Sequence, residues 1–374
     1  MKVALVLDDT LDTPDGVQQY VLAVGGWLVE QGHEVHYLVG QTVRTDIQNV
    51  HVMSRNVHVR FNGNRMSMPL PVSRRRLKRF LAEQQFDVLH VQTPYSPFMA
   101  GRLISAAPAH TAVIGTFHIL PYSDQVRFAN RLLAILNRRS DKRFDQVLAV
   151  TAPARTFANE TYGYNAEVLP NPVRLAQFTR AESMSQTTNI VFLGRLVARK
   201  GALQLLQAVS YLQAEHLYDG EFKVYIGGKG ELSAELAAFV QANGLTDIVT
   251  LSGFVEEADK PAFLAAADIA VYPSISGESF GIVLLEGMAA ARGVVLAGNN
   301  PGYGAVMQPY PDQLFDPLNT KAFAELLAWQ LDHPAARARA AELQREYVQR
   351  FDITRVGPQL VAVYAHALQS RPTS

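Results

Sequence analysis

The chain has 374 residues, of which 48% are hydrophobic and 18% are charged, and its formal net charge is zero. This composition excludes a disordered chain and a uniformly basic nucleic-acid binder. Cysteine is absent, which excludes disulfide bonds, thiolate metal sites and a cysteine nucleophile. A single hydrophobic core seldom grows beyond roughly 250 to 300 residues, so the length predicts two domains with a cleft between them.

The apolar patterning and the lack of cysteine bear on location. The apolar run after Met1 turns acidic at Asp8, so we expect neither a signal sequence nor a transmembrane helix there. No later stretch approaches the roughly 18 apolar residues that a membrane span needs. We therefore expect a cytoplasmic protein whose membrane contact is peripheral.

Short aliphatic runs alternate with helical patterns along the chain, which is typical of βαβ units and a parallel sheet. Helical spacing predicts helices at Val17–Gln31 and Val126–Asn137. The fold class is therefore α/β, with one doubly wound, Rossmann-like parallel sheet in each half. The predicted strands are Lys2–Leu7, Val35–Val39, Val57–Phe61, Val88–Val91, Val113–Phe117 and Gln146–Val150 in the first half, and Asn189–Leu193, Phe222–Ile226, Ile248–Leu251, Ile269–Tyr272 and Gly293–Ala297 in the second.

The two halves meet at Leu169–Val173, which contains two prolines and precedes a polar run from Arg180 to Thr188. Prolines this close together do not fit inside a helix or a central strand, so we predict the hinge here. The resulting domains are residues 1–170 and 174–351. A final helix at about 352–370 is expected to pack back on the N-terminal domain.

The most informative motif is Gly277–Met288, which reads Gly-Glu-Ser-Phe-Gly-Ile-Val-Leu-Leu-Glu-Gly-Met directly after a predicted strand. A strand, a glycine-flanked loop and then a helix present unpaired backbone amides that favour an anionic phosphate or a polar sugar. If the helix begins near Phe280, Glu278 stands in the loop and Glu286 lies about two turns in. Two carboxylates at different depths could hold a hexose and a ribose. As a bare spacing, the alternative is a capping Glu278 and a solvated Glu286.

A second loop in the same half, Gly194–Gly201, follows the first strand of that half. In an open α/β sheet, loops at the carboxyl ends of the strands line the ligand crevice. Arg195 and Lys200 would then reach a diphosphate and neutralise its charge. The alternative is a pair of ordinary surface cations.

The segment Ser73–Leu81 predicts an N-capped helix with five cations on one side and apolar residues on the other. Upstream, Phe61–Pro71 is predicted to be a long loop that mixes methionines, an aromatic residue and a cation. Such a loop beside a basic face suits an anionic bilayer, and the alternative is a solvated helix face. The cations are Arg74, Arg75, Arg76, Lys78 and Arg79.

Taken together, these motifs resemble the GT-B glycosyltransferases of family 4, and among them the phosphatidylinositol mannosyltransferases. The resemblance covers nearly the whole chain, and members that act on lipid acceptors carry a comparable basic helix. Its carriers are Asp15-Gly16-Val17-Gln18, Gly32-His33-Glu34-Val35, Thr116-Phe117-His118, Pro170-Asn171, Gly194–Gly201 and the acidic pair within Gly277–Glu286.

The resemblance implies a retaining hexosyltransferase that uses a nucleotide-diphosphate sugar, with GDP-mannose as the expected donor, and that requires no metal or other cofactor. The C-terminal domain would hold the donor and the N-terminal domain the acceptor, with closure about the hinge. The acceptor would be a phosphatidylinositol-type lipid at the inner face of the cell membrane. The catalytic residues that the resemblance implies are His118, Glu278, Arg195 and Lys200. The donor-binding residues that it implies are Gly16, Arg195, Lys200, Lys260, Glu278, Ser279, Phe280, Gly281, Ile282 and Glu286. The acceptor or membrane residues that it implies are Gln18 and the five cations of the basic helix.

Three departures from the family pattern affect donor and acceptor identity more than reaction type. Asp15 replaces the first of two glycines, so phosphate approach rests on Gly16. Arg292 stands without an assigned role in the turn after the acidic-pair helix. His90-Val91-Gln92 stands where many members have two histidines.

Rival functions are a UDP-sugar-dependent transferase with a soluble or polyprenyl-linked acceptor, and a non-catalytic sugar-nucleotide-binding protein. A nicotinamide-dependent dehydrogenase would share the fold class. However, the glycines of Gly227–Gly230 are not spaced as the dinucleotide fingerprint requires.

Overall fold

The computed structural model describes residues 1–13, 15–61, 64–178 and 187–371. The chain divides into two compact units, one formed by Met1–Pro172 with Ile353–Ser374 and the other by Val173–Asp352. Of the polar linker predicted at Arg180–Thr188, residues 180–186 lie outside the described residues.

The first unit is built on a parallel sheet whose strands, among the described residues, follow the order β3-β2-β1-β6-β7-β8-β9. The central strands are almost wholly apolar because helices cover both faces of a parallel sheet. From Val3 to Leu7, every residue of β1 is buried. The strands are β1 Lys2–Leu7, β2 Glu34–Val39, β3 Val50–Val52, β6 Val88–Val91, β7 Ala112–Phe117, β8 Gln146–Ala149 and β9 Ala166–Val168.

A separate hairpin lies between β3 and β6. It consists of β4 Asn56–Phe61 and β5 Asn64–Pro69, which pair antiparallel with Phe61 opposite Asn64. The strand predicted at Val57–Phe61 is therefore confirmed, although it does not join the parallel sheet. The long loop predicted at Phe61–Pro71 is wrong for Asn64–Pro69, which pairs as a strand, and its residues 62 and 63 lie outside the described residues.

Helices of the first unit cover the sheet in two apolar layers. One layer contains α1 and α13, which pack on each other and share a core with β1, β2 and β7. The other contains α2 and α3, which pack over β1, β6 and β7. The helices are α1 Gly16–Glu30, α2 Arg74–Gln84, α3 Met99–Ala106, α4 Asp124–Asp141, α5 Ala152–Tyr162 and α13 Ile353–Gln369.

The second unit repeats the architecture with a parallel sheet in the order β12-β11-β10-β13-β14-β15, counted over the described residues. Its core lies between these strands and helices α6 and α11. The elements are β10 Thr188–Leu193, α6 Ala202–Ala214, β11 Phe222–Gly227, α7 Ser233–Ala242, β12 Val249–Gly253, α8 Lys260–Ala265, β13 Ile269–Tyr272, α9 Ile282–Ala290, β14 Val294–Gly298, α10 Pro301–Val306, β15 Leu314–Phe315, α11 Thr320–Asp332 and α12 Pro334–Val348. The two-sheet α/β fold class predicted from the sequence is confirmed.

Candidate active site

The order of strands in the second unit creates a crevice. Neighbours β10 and β13 continue in opposite directions, β10 to β11 on one side and β13 to β14 on the other. Loops at such a switch point diverge, and ligands of open α/β sheets bind there. The loops after these two strands are the predicted motifs Gly194–Gly201 and Gly277–Ile282. The structure therefore places both motifs where a ligand is expected.

Glu278 is the centre of a buried charge cluster at this crevice. Its Oε1 accepts hydrogen bonds from the Arg199 guanidinium at 2.7 Å and from the Ser274 hydroxyl at 2.7 Å, and Lys200 Nζ lies 2.8 Å away. Burial alone would raise the pKa of Glu278, but the adjacent Lys200 and Arg199 outweigh it and lower that pKa to about 2. Glu278 is therefore a carboxylate at neutral pH.

The contacts of Glu278 all fall on one oxygen. Among the described residues, no donor contacts Oε2, so this oxygen can accept hydrogen bonds from a ligand. The alternative in which Glu278 caps the following helix is wrong, because Gly281 is the N-cap residue of α9. The structure brings Lys200, which was predicted for the donor site, next to Glu278, whereas Arg199 and Ser274 were not predicted.

Backbone contacts hold the two loops together. The Ile275 amide donates to the Arg199 carbonyl at 2.8 Å, and the Ser274 hydroxyl donates to the same carbonyl at 3.0 Å. Gly201 has a φ of 76°, and a Cβ there would lie 1.9 Å from the Pro273 carbonyl oxygen. No residue with a side chain fits this approach, so the glycine fixes the position of Lys200 beside Glu278.

The start of α9 has the geometry of a helix end that can bind an anion. The helix begins at Ile282, two residues later than predicted, after Gly281 with a φ of 103°. A Cβ on Gly281 would meet the Tyr303 ring at 2.4 Å, so a side chain is excluded there too. Within the described residues, the amides of Gly281, Ile282 and Val283 donate to no other backbone carbonyl outside the helix. These amides and the positive end of the helix dipole favour a phosphate or a sugar oxygen.

Glu286 belongs to a second buried ion pair, one turn into α9. Its Oε1 lies 2.9 Å from Lys260 Nζ, which also contacts Glu257 at 2.8 Å. Burial would lower the pKa of Lys260, but the two carboxylates outweigh it and raise that pKa. The structure thus brings together Lys260 and Glu286, both predicted at the nucleotide. The solvated-face alternative for Glu286 is wrong, since the residue is 5% exposed.

The other residues of this unit that were predicted to bind the nucleotide-sugar donor lie on the same loops. Arg195 is half-buried at the end of β10, and its carbonyl accepts from the Val197 amide. Phe280 is buried and packs edge-on against Phe351, so its ring anchors the loop in the core. Ser279 precedes Phe280, and Ile282 follows it by two residues.

Arg292, which had no assigned role, has a structural one. Its guanidinium donates to the Asp268 carboxylate at 2.9 Å and to the Ala266 carbonyl at 3.0 Å. Arg292 precedes β14 and Asp268 precedes β13, so this pair ties the amino ends of two neighbouring strands. The predicted site is at the opposite, carboxyl ends.

In the first unit, the predicted residues Gly16, Gln18 and His118 lie at or near the carboxyl edge of the sheet. Gly16 is the first residue of α1, and Gln18 is buried in its first turn. His118 follows β7; its Nε2 lies 2.9 Å from the Gln92 Oε1, and its ring packs edge-on against Tyr20. Burial lowers the pKa of His118 to about 3, so the imidazole is neutral. A neutral ring can form a hydrogen bond but cannot supply a positive charge to a leaving group.

The structure gives a role to two departures from the family pattern in this unit, His90 and Asp15. His90 is fully buried, with Nδ1 2.6 Å from the Tyr364 hydroxyl and Nε2 2.7 Å from the Thr116 hydroxyl. It therefore joins β6 to β7 and to α13. Asp15 is the N-cap residue of α1, and its carbonyl accepts from the Gln19 amide.

The two buried histidines predict a dependence of stability on pH. Burial, with a smaller contribution from His118, lowers the pKa of His90 to about 3, and burial alone does the same for His118. Below pH 6.5 the unfolded chain therefore binds protons that the folded chain does not, and stability falls as pH falls. We expect each of these histidines to lower the free energy of unfolding by about 2 kcal/mol when the pH falls from 7 to 5.

Urea unfolding at pH 7.5 and pH 5.0 measures this effect. His118→Gln should reduce the pH dependence, whereas His366→Gln, at an exposed position on α13, should leave it unchanged. An unaltered pH dependence in His118→Gln would show that the ring binds protons equally in the folded protein and in the unfolded chain.

All five predicted cations of the basic helix lie exposed on α2, with Leu77 and Leu81 buried on its inner side. In the described part of the chain, none of the five forms an ion pair. Among the described residues, no helix is long and apolar enough to cross a membrane, and no group of three or more histidine and acidic side chains is arranged to hold a metal ion.

A parallel α/β unit with an open helix start at its switch point is the arrangement of a nucleotide-binding domain. Residues 176–347 match the family model of glycosyl transferases group 1, and residues 14–177 match that of glycosyltransferase family 4. The chain therefore belongs to the GT-B glycosyltransferases of family 4.

Similar proteins extend this result. A phosphatidyl-myo-inositol mannosyltransferase of Propionibacterium freudenreichii is 31% identical over 100% of this chain and 97% of the relative. One of Mycolicibacterium smegmatis is 29% identical over 97% of this chain and 93% of the relative. Among solved structures, Anabaena Alr3699/HepE in complex with UDP-glucose superposes with a TM-score of 0.76, covering 98% of this chain and 100% of that chain at 16% identity. This last similarity concerns the fold.

Proposed function

We propose that this protein is a retaining mannosyltransferase that moves mannose from GDP-mannose to a hydroxyl of a phosphatidylinositol-type head group. One observation carries the proposal. The buried carboxylate of Glu278 receives all its contacts on Oε1 and lies beside an open helix start at the switch point. The names of the full-length relatives direct the choice of sugar and acceptor.

Each part of the second-unit cluster suits one part of a nucleotide-diphosphate sugar. Glu278 Oε2 accepts hydrogen bonds from sugar hydroxyls, since the residue stays ionised. Lys200 and Arg195 neutralise the diphosphate, aided by the amides of Ser279–Ile282. Glu286, held by Lys260, accepts hydrogen bonds from the ribose hydroxyls.

The proposed reaction is a single exchange at the anomeric carbon. The bond from this carbon to the diphosphate oxygen breaks as the bond to the acceptor oxygen forms on the same face, and the acceptor proton passes to the departing phosphate oxygen. The transition state has oxocarbenium character, as in glycoside hydrolysis. Positive charges at the leaving diphosphate lower its energy. No protein nucleophile and no metal enter the scheme.

The acceptor side of the proposal uses the first unit. Gly16 leaves room for the donor's diphosphate and sugar to approach the start of α1, Gln18 contacts the acceptor, and neutral His118 forms a hydrogen bond near the transferred sugar. The five exposed cations of α2 hold the protein on an anionic surface, at about 1 kcal/mol per cation. The proposed location is the cytoplasmic face of the cell membrane.

Binding calorimetry with GDP, UDP, GDP-mannose and UDP-glucose tests the donor. We expect GDP-mannose to bind at least tenfold more tightly than UDP-glucose. Tighter binding of UDP-glucose would favour the UDP-sugar transferase instead.

Incubation of the protein with GDP-mannose and phosphatidylinositol in detergent micelles tests the reaction. We expect a mannosylated lipid by mass spectrometry, with the anomeric configuration of the donor retained by NMR. Donor binding without transfer to this lipid or to any soluble or polyprenyl-linked acceptor would indicate a non-catalytic sugar-nucleotide-binding protein.

A further inference from the structure

Helix α4 of the first unit exposes an apolar face to solvent and buries a polar one. Four large apolar side chains point to solvent at positions spaced by one or two turns, and we call them the α4 stripe. Their exposed fractions are 71% for Phe128, 53% for Leu132, 58% for Ile135 and 61% for Leu136. The buried side of the same helix is small or polar: Asn130, Ala134, Asn137 and Ser140. A surface helix normally shows the opposite pattern.

Specific hydrogen bonds hold α4 in this orientation. The Asn137 amide donates to the Tyr95 carbonyl, and Asn130 Oδ1 accepts from the Tyr162 hydroxyl at 2.7 Å. The Ser123 side chain accepts from the Val126 amide and fixes the start of the helix. Turning the stripe inward would carry both asparagines away and leave the Tyr95 carbonyl and the Tyr162 hydroxyl without these partners, at about 1–3 kcal/mol each. The outward stripe is therefore a stable feature of the fold.

The charges around the stripe identify its partner. Between its terminal residues Asp124 and Asp141, α4 carries four arginines and no acidic residue. All four are exposed, and among the described residues none forms an ion pair. At 100° per residue, three of them flank one side of the stripe and the fourth falls within it. They are Arg127, Arg131 and Arg138 on the flank, and Arg139 within the stripe.

The stripe continues the surface formed by the cationic helix. Helix α3 packs against both α2 and α4, so the three helices lie side by side in the first unit. Arg102 of α3 donates to the Val72 carbonyl just before α2, and Gly101 of α3 lies beside Asn137 of α4. One helix layer thus presents the α2 cations and, beyond α3, an apolar stripe with further arginines.

We propose that the α4 stripe inserts into the acyl-chain boundary of an anionic bilayer, while the arginines beside it contact the lipid phosphates. Amphipathic helices with this composition lie in the interface with their apolar face buried about 5–10 Å. A symmetric dimer through the stripe would instead bring the arginines of two copies together. The inference rests on the membrane-bound acceptor of the proposed function.

Fluorescence of Phe128→Trp tests the insertion directly. When vesicles of phosphatidylglycerol and phosphatidylcholine are added, the emission of this variant should shift to shorter wavelength by more than that of the wild type. Bromine on the acyl chains of the vesicle lipids should quench the emission of the variant. Leu343→Trp is the matched control, because Leu343 is a half-exposed residue on helix α12 of the second unit. Its emission should not change with vesicles.

A second variant tests the energetic contribution of the stripe. Leu132→Ser with Ile135→Ser should weaken vesicle binding at least about tenfold without lowering the melting temperature, since both side chains are exposed. No spectral shift in Phe128→Trp would overturn the proposal, and so would a wild-type dimer that this Ser variant converts to a monomer. Failure of the proposed function appears separately, as absence of mannose transfer to phosphatidylinositol in micelles by the wild-type protein.

Discussion

Replacing Glu278 by glutamine is expected to lower turnover by about two to three orders of magnitude. The glutamine keeps the shape of the side chain but loses the charge that Lys200 and Arg199 hold in place. If Oε2 accepts hydrogen bonds that strengthen as the sugar becomes an oxocarbenium ion, their loss appears in kcat more than in KM. Steady-state transfer kinetics with GDP-mannose measures the effect.

Stability must be followed in the same experiment. Breaking a buried ion pair by removing one partner costs about 3–5 kcal/mol, since the remaining charge is left uncompensated. The double variant Glu278→Gln with Lys200→Met removes both charges, so it should recover part of the lost melting temperature but none of the activity. Glu325→Gln, an exposed carboxylate on helix α11, is the control and should alter neither quantity. Wild-type turnover in the folded double variant would place the chemistry elsewhere.

The parallel sheets could be predicted from the sequence because their strands are continuous apolar runs. Lys2–Leu7 and Ile269–Tyr272 were predicted with the bounds that the structure has. The strands β3, β9 and β15 were missed. They have only two or three residues and lie at or near sheet edges, where pairing with a neighbour rather than any periodicity defines them.

The hairpin of the first unit was predicted in part, although the sequence carries its signal. Phe61 pairs with Asn64, and the two residues between them in the sequence are Asn62-Gly63, a dipeptide that favours a two-residue hairpin turn. The methionines and prolines that follow favoured a loop instead. Turn chemistry was the better guide here than composition.

The sequence predicted which loops form the candidate site, but not which side chains contact one another within it. Glycine spacing and strand order place Gly194–Gly201 and Gly277–Ile282 at one edge of the sheet. Which of the three cations in the first loop contacts Glu278 depends on the tight turn at Ala198–Lys200, where Arg199 and Lys200 converge. The exposed stripe of α4 was likewise hidden, because helical periodicity shows an apolar face but not which way it points.

Replacing Arg75, Arg76 and Arg79 of α2 by serine is expected to weaken binding to anionic vesicles by about two orders of magnitude. Each cation near such a surface contributes about 1 kcal/mol, so three contribute about 3 kcal/mol. Co-sedimentation with vesicles of phosphatidylglycerol and phosphatidylcholine measures the change. Exposed charges are screened over about 8 Å at physiological ionic strength, so wild-type binding should weaken as salt rises and the variant should respond less steeply.

A matched variant separates the position of the charges from their number. Lys223→Ser, Lys321→Ser and Arg339→Ser remove three exposed cations from the second unit, so the net charge changes equally. Because these residues lie outside the α2 face, vesicle binding should stay within about twofold of the wild type. Equal losses in the two triple variants would mean that vesicles sense only net charge. Equal recovery of all three proteins from anionic vesicles would make the α2 face an ordinary solvated surface and direct the search toward a soluble acceptor.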